Sequence, residues 1–218
     1  MTPVDPYIVV RGTGQAAAQP DRAVVRVEVD GEGGSRDDAY RETAKGASAV
    51  DAVTATYAEA IARNQTAALV VHPKTRWRRG ESVRTGWRGS RTTLLEVTDF
   101  ARLGELFGEL AAAGGAVAGP YWHLDIDNPV HAEARRLAAE DARRRADTYA
   151  GALGLRITGI AWIAEPGLRE TTPPGFLPAA RAMTLAAEAH EDVIDVTPEE
   201  MTVDAAVDVG FAFAPGQS

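Results

Sequence analysis

The sequence predicts an α+β fold, a mainly antiparallel sheet covered by long Ala-rich helices. Three observations carry this. Residues 23–30 (AVVRVEVD) alternate apolar and charged side chains, the period of a strand buried on one face. Residues 128–154 place Ala134, Leu137, Ala138, Ala142, Ala146, Tyr149, Ala150 and Leu153 at three- and four-residue spacing, the stripe of an amphipathic helix. Between residues 23 and 127 the elements run strand, helix, strand, strand, helix, strand. That is the order of a split β-α-β, ferredoxin-like unit.

Each element follows from local chemistry. Residues 7–15 (YIVVRGTGQ) read as a strand interrupted by Gly12 and Gly14, and Pro20-Asp21 makes the turn into the alternating strand. Ser35 is placed to cap an Ala-rich helix running to about Arg63, with Ala39, Thr43, Ala47, Val50, Val53, Tyr57 and Ile61 along one side. An extended stretch, 67–78, turns near Gly80 and returns over 87–97. A short helix at 99–113 stops at Gly114-Gly115, and 117–127 is a further strand. Asn128 then caps the organising helix, Pro129 fits its first turn and Gly154 ends it. Its stripe is mostly alanine, so it can lie close to what it covers, with no reactive group on the buried face. Strands at 155–165 and 201–213 close the pattern and would extend or cover the sheet, giving one domain over 5–214. Residues 166–178 (PGLRETTPPGFLP) form a Pro- and Gly-rich excursion too short to be a domain.

Composition narrows the functions. The 218 residues hold 45% hydrophobic and 25% charged side chains, ample for a core without staples. There is no cysteine, which excludes disulfides, thiolate zinc sites, iron–sulfur clusters and thiol catalysis. No stretch is long and apolar enough to span a membrane, and the opening MTPVDPYIVV lacks the pattern of a secretory signal. A cytoplasmic location is the expectation from that sequence as it stands. The net charge of −8 disfavours general nucleic-acid affinity. That charge is unevenly spread. Residues 72–91 hold seven Lys or Arg against Glu81, about +6, whereas 165–218 hold ten acids against Arg169 and Arg181, about −8.

Four constellations could carry chemistry. Gly12-Thr13-Gly14 lacks the following helix N-terminus that a phosphate loop requires, which favours a bulged or closely packed strand. His123, Asp125 and Asp127 alternate with Trp122, Leu124 and Ile126. On a strand they would share a face and could offer a divalent ion an imidazole and two carboxylates, with His131 near in sequence. Without a fourth ligand, a polar outer face is the simpler account. His190, Glu191, Asp192 and Asp195 read as a solvated run, and no spacing marks an acid–base pair or a nucleophile elbow. No cofactor and no catalytic residue is therefore assigned. Finally, Lys74, Arg76, Trp77, Arg78, Arg79, Arg84, Trp87, Arg88 and Arg91 interleave cations with indoles. Such a surface can anchor a protein contact, grip single-stranded nucleic acid or simply be a solvated hairpin. The protein contact is the preferred reading. Basic hairpin and acidic C-terminal region on identical subunits allow head-to-tail self-association.

The order of motifs resembles the SIMPL (DUF541) family. Five stretches carry the resemblance: VRGTGQAAAQPDRAVVRVEVD (10–30), the run opening WRGSRTTLLEVTDFARLGEL at Trp87 and reaching Leu110, GGAVAGPYWHLDI (114–126), AAEDARRRADTYAGALGLRITGI (138–160) and TPEEMTVDAAVDVGFAF (197–213). The Ala-x-x-Asp-Ala-x-x-x-Ala pattern with its Leu-Gly close is the most diagnostic. The resemblance implies an α+β fold, ring-like or channel-like oligomers in some members, and no catalytic residues to carry over. Members include periplasmic stress proteins and an outer-surface antigen, so it also implies a stress- or envelope-related setting. The expectation is thus a non-enzymatic, self-associating protein. Two alternatives stand beside it: a small-molecule- or metal-binding protein or enzyme with a site between subunits, and a nucleic-acid-binding accessory using the basic hairpin.

Overall fold

A computed structural model describes residues 6–78, 81–168 and 196–216. Among these are eight strands and three α-helices in two antiparallel sheets. The chain forms two compact units, a middle unit built on residues 19–125 and 193–201 and a terminal unit built from 1–18, 126–192 and 202–218.

The middle unit contains β2 (Arg22–Gly33), α1 (Arg36–Thr56), β3 (Ile61–Thr66), β4 (Val70–Arg78), β5 (Glu81–Val97), α2 (Leu103–Ala112) and β6 (Ala116–His123). Its sheet order is β3-β5-β2-β6, with β4 continuing along β5 beyond β3. Counting β3 and β4 as one interrupted edge, this is the sheet order of the predicted split β-α-β unit. The alternation in β2 works as read: Ala23, Val25, Val27 and Val29 are buried. They meet Leu95 and Val97 of β5, Val50 of α1, and Leu103, Leu106, Phe107 and Leu110 of α2 in one core. Four of these leucines are fully buried, and truncating such a side chain to alanine costs about 2–5 kcal/mol.

Ser35 caps α1 as expected, its Oγ accepting the Asp38 N–H at 3.1 Å. The helix ends at Thr56, seven residues short of the predicted Arg63. Tyr57 turns out of the helix and is buried, with its hydroxyl donating to Glu109 at 3.0 Å. The Ala60 carbonyl then accepts the Thr98 N–H and Ile61 pairs with Val97, so residues that continue the helical stripe are taken into β3. Pairing with β5 outweighs helix propensity, which is a weak preference.

The terminal unit contains β1 (Tyr7–Ala18), α3 (Pro129–Ala152), β7 (Leu155–Ala164) and β8 (Met201–Pro215). Its sheet order is β1-β8-β7. The last helix and strands therefore build a second sheet with the first strand, and the strands do not extend the first sheet. Asn128 Oδ1 accepts the Val130 N–H at 2.9 Å, Pro129 occupies the first turn, and Gly154 adopts φ +68° after the C-terminus, all as read from sequence. The stripe is narrower than predicted. Ala134, Ala138, Ala142, Ala146 and Ala150 are buried, but Tyr149 and Leu153 are 59% and 67% exposed. Among the described residues a single helix covers this three-stranded sheet, and its last turn leaves both side chains exposed.

Gly12 and Gly14 do not break β1. They let α3 approach it: a Cβ on Gly12 would lie 2.0 Å from the Ala138 carbonyl oxygen, and one on Gly14 2.3 Å from that of Ala134. The Gly-Thr-Gly sequence is a helix–strand seam, as the close-packing alternative proposed. A buried carboxylate also lies on that seam, where none was expected. Asp141 is 7% exposed and accepts the Thr13 N–H at 3.1 Å and Arg145 Nε at 2.7 Å, with Arg144 also donating to it. The backbone hydrogen bond from Thr13, followed by the arginine charges, holds its carboxyl below the usual aspartate range.

Candidate interaction surface

The basic, aromatic run forms the β4–β5 hairpin. Its ladder joins Val70 to Ser90 and continues to Arg78 opposite Glu81. β2 pairs with the other edge of β5 only as far as Gly33 opposite Trp87. Beyond that point the two strands overhang the sheet. The stretch of β5 from Glu81 to Gly86 has β4 on one side and no strand on the other among the described residues. Six residues make an open edge about 20 Å long.

The outer face of β2 carries Glu28, Asp30 and Glu32, and register brings two of them to the bases of the hairpin. Lys74 Nζ donates to both Glu32 oxygens at 2.7 and 2.6 Å. Arg88 makes a two-pronged contact with Asp30, and Arg91 does the same with Asp51 of α1. Much of the positive charge counted along the sequence is thus neutralised within the unit. Arg76 and Arg84 have no ion pair among the described residues. Arg84 lies over the Trp87 ring, 5.4 Å from its centroid, which leaves Trp87 half-buried. Trp77 is 75% exposed near the tip, and Val83 across from Arg76 is also exposed. The side chains of Arg78 and Arg79 lie outside the described residues. A cleft of about 640 Å³ lies between the end of β2 and the hairpin, lined by Glu32, Gly33, Gly34, Lys74, Arg76, Thr85 and Trp87 among others.

The model of one protein family, described as a protein of unknown function (DUF541), matches residues 8–211, nearly the whole chain and both units. The chain belongs to the SIMPL family. No curated protein matches it. In this SIMPL chain no described helix is long and apolar enough to cross a membrane.

The remaining candidates are placed as follows. β6 ends at His123, so the strand alternation that would have set His123, Asp125 and Asp127 on one face stops at the first of them. Asp125 is held by the middle unit itself: Arg22 pairs with its carboxylate, and its N–H donates to Asp21 at 2.7 Å. Asp127 is exposed in the turn before α3, and His131 is in the first turn of that helix. Among the described residues no three His, Asp or Glu side chains gather as a metal site. The run at His190, Glu191, Asp192 and Asp195 lies outside the described residues, as does most of the Pro- and Gly-rich excursion.

Sequence reading missed the acids that answer the hairpin, Asp30, Glu32 and Asp51. The signal for two of them was present. The β2 alternation that buries Val25, Val27 and Val29 turns Glu28, Asp30 and Glu32 outward, on the face that the outward bases of a neighbouring strand share.

Proposed function

We propose that this SIMPL protein is a non-enzymatic, self-associating protein whose β4–β5 hairpin is the contact between copies. The observation that carries the reading is Trp77, an indole 75% exposed on a two-stranded overhang. Two-stranded ribbons are marginal alone in water, and a large exposed aromatic beside arginines that have no ion pair among the described residues is the composition of an interface anchor. Neutralisation of Lys74, Arg88 and Arg91 by acids of the same unit supports a protein contact over a long polyanion, because it removes the continuous positive field that phosphates would need. The family resemblance suggests a stress- or envelope-related setting for such an assembly. The test is the solution mass at micromolar concentration. Replacing Trp77 and Trp87 together by alanine is expected to lower it while the circular dichroism stays largely intact. A wild-type protein that is already monomeric would overturn the reading, as would a double variant that keeps the full assembled mass.

A further inference from the structure

The strands that end the two sheets are not equally guarded. An exposed strand edge is a template for one more strand, and proline or charge blunts it. β3 carries Arg63, β4 carries Pro73, Lys74 and Arg76, and β6 carries Pro120. β1 carries Arg11, tied to Asp208. β7 (LRITGIAWIA) has no proline, and its one charged residue is Arg156, near its start. Its ten residues give an edge about 33 Å long, with β8 on one side and no strand on the other among the described residues.

The apolar part of this edge is bare for a reason within the unit. The Gly12 and Gly14 seam draws α3 over β1, the opposite edge of the sheet. Ile157, Ile160 and Ile163 pair with Phe213, Phe211 and Val209 of β8 and so share their face, the one on which α3 packs. Ile160 and Ile163 are nevertheless 63% and 61% exposed. A cleft of about 410 Å³ opens between α3 and β7, lined by Ala138, Ala139, Ile163 and Leu168 among others.

We infer that β7 pairs antiparallel with β7 of a second copy of this chain, about a two-fold axis at Ile160. This contact does not depend on the hairpin. The occupant is a second copy because the edge is complementary to itself. Its isoleucines recur at every third residue and are centred on Ile160. A two-fold axis there sets Ile160 against Ile160 and Ile157 against Ile163, all on one face. The charges agree. Arg156 is exposed and has no ion pair among the described residues, and it comes opposite Ala164, next to Glu165. Glu165 is held only loosely in its own copy, 3.8 Å from Arg135. The two ends of the edge thus carry opposite charge, and antiparallel pairing brings them together.

The chain has no cysteine, so a single introduced thiol reports its own neighbour. In the full chain, Ile160→Cys should give a disulfide-linked dimer under copper-phenanthroline at least about tenfold faster than Ile163→Cys. A thiol on the axis meets its own copy, whereas the two copies of position 163 stand about six strand positions, or about 20 Å, apart. Equal rates at the two positions, or faster linking at 163, would overturn the inference. Hydrogen exchange on the wild type reads the same contact without a variant. Amides of β7 should slow by about tenfold or more as the chain is raised from about 1 to about 100 μM. Ile160→Lys, which places like charges together on the axis, should abolish that dependence. Protection of β7 that does not change with concentration would assign the edge to a segment of the same copy and sink the pairing. Replacing Trp77 and Trp87 together by alanine separates the two contacts. Protection of β7 should survive those substitutions, and its loss with them would leave the hairpin as the contact and remove this one. If the Ile160→Cys link forms while the tryptophan substitutions leave the assembled mass unchanged, the hairpin reading falls and the β7 pairing stands.

Discussion

β1 and β2 each run beneath an alanine-rich helix on a Gly-x-Gly pair, Gly12 and Gly14 under α3, Gly31 and Gly33 under α1. On both seams the facing positions repeat every four residues: Ala134, Ala138 and Ala142 on one, Ala39, Thr43 and Ala47 on the other. The geometry is shared because the need is shared. A helix can approach a strand this closely only where neither contributes a bulky side chain. What surrounds the seams differs. The α1 seam sits at the margin of a core filled by Leu95, Leu103, Leu106 and Leu110, and its one polar residue, Thr43, satisfies its hydroxyl on the Ala39 carbonyl at 2.8 Å. Among the described residues the α3 seam has a smaller apolar cluster beside it, Val10, Val209 and Phe211 with the half-buried Ile8, Ile157 and Val207, and it is tied by a charge, Asp141 on the Thr13 amide. One unit is held by apolar volume with the seam as an addition. In the other the seam is most of what holds the helix.

That contrast can be broken most directly at the glycines. Gly12→Val should destabilise the terminal unit by more than about 2 kcal/mol, because the added atoms meet helix backbone and not a movable side chain. Gly31→Val meets the Thr43 backbone in the same way, but the leucine core should keep the middle unit folded. Amide exchange resolved by segment reads this: collapse of protection in α3 and β8 for the first variant, local loosening of α1 for the second. Equal global unfolding by both would mean the leucine core does not buffer its seam.

A smaller effect comes from the polar residues. Asp141 has a depressed pKa in the folded protein, so its contribution is present above the unfolded value of about 3.9 and is lost as pH falls through the folded value. Asp141→Asn should lower stability at neutral pH and flatten the part of the acid-denaturation curve that lies below about pH 4. Thr43→Val should change stability by no more than about 1 kcal/mol at any pH, because the hydroxyl bonds only within its own helix. A Thr43→Val variant that alters the acid limb, or an Asp141→Asn variant that does not, would reverse the assignment of which seam is electrostatic.

The smallest expected difference lies at the caps. Ser35→Ala and Asn128→Ala each remove one side-chain acceptor from a helix N-terminus, a loss of about 1 kcal/mol. If the α3 seam carries its unit, the Asn128 variant should show the larger drop in protection of its own helix by amide exchange. Equal drops would say that cap loss is absorbed locally in both units.

The features legible in the sequence were those with a local cause. Asn128, Pro129 and Gly154 bracket α3 by backbone chemistry alone, and the period of two in β2 needed no partner to be seen. What escaped depends on contacts far apart in sequence. Nothing near Thr56 stops a helix; α1 ends there because β5 claims Ile61 as a strand. Asp125 looked like a metal ligand only while β6 was extended past His123, and its own carboxylate is spent on Arg22. The charge of the hairpin was overcounted because Lys74 and Arg88 meet Glu32 and Asp30 through a strand register that linear counting does not contain.

The order β1-β8-β7 also sets an order of events during synthesis. β1 and β7 do not touch as neighbours in the sheet; each pairs with β8, which spans Met201–Pro215. Every strand of the middle unit has been made once His123 is added. β1, translated before every strand of the middle unit, must wait for β8, more than 180 residues later, before its partner exists. Pairings of such long sequence separation form slowly, and an unpaired strand is exposed to wrong partners meanwhile. A nascent chain arrested before residue 201 should therefore show a protease-resistant middle unit, with β1 and α3 still open to cleavage, and resistance of those segments should appear only when β8 is complete.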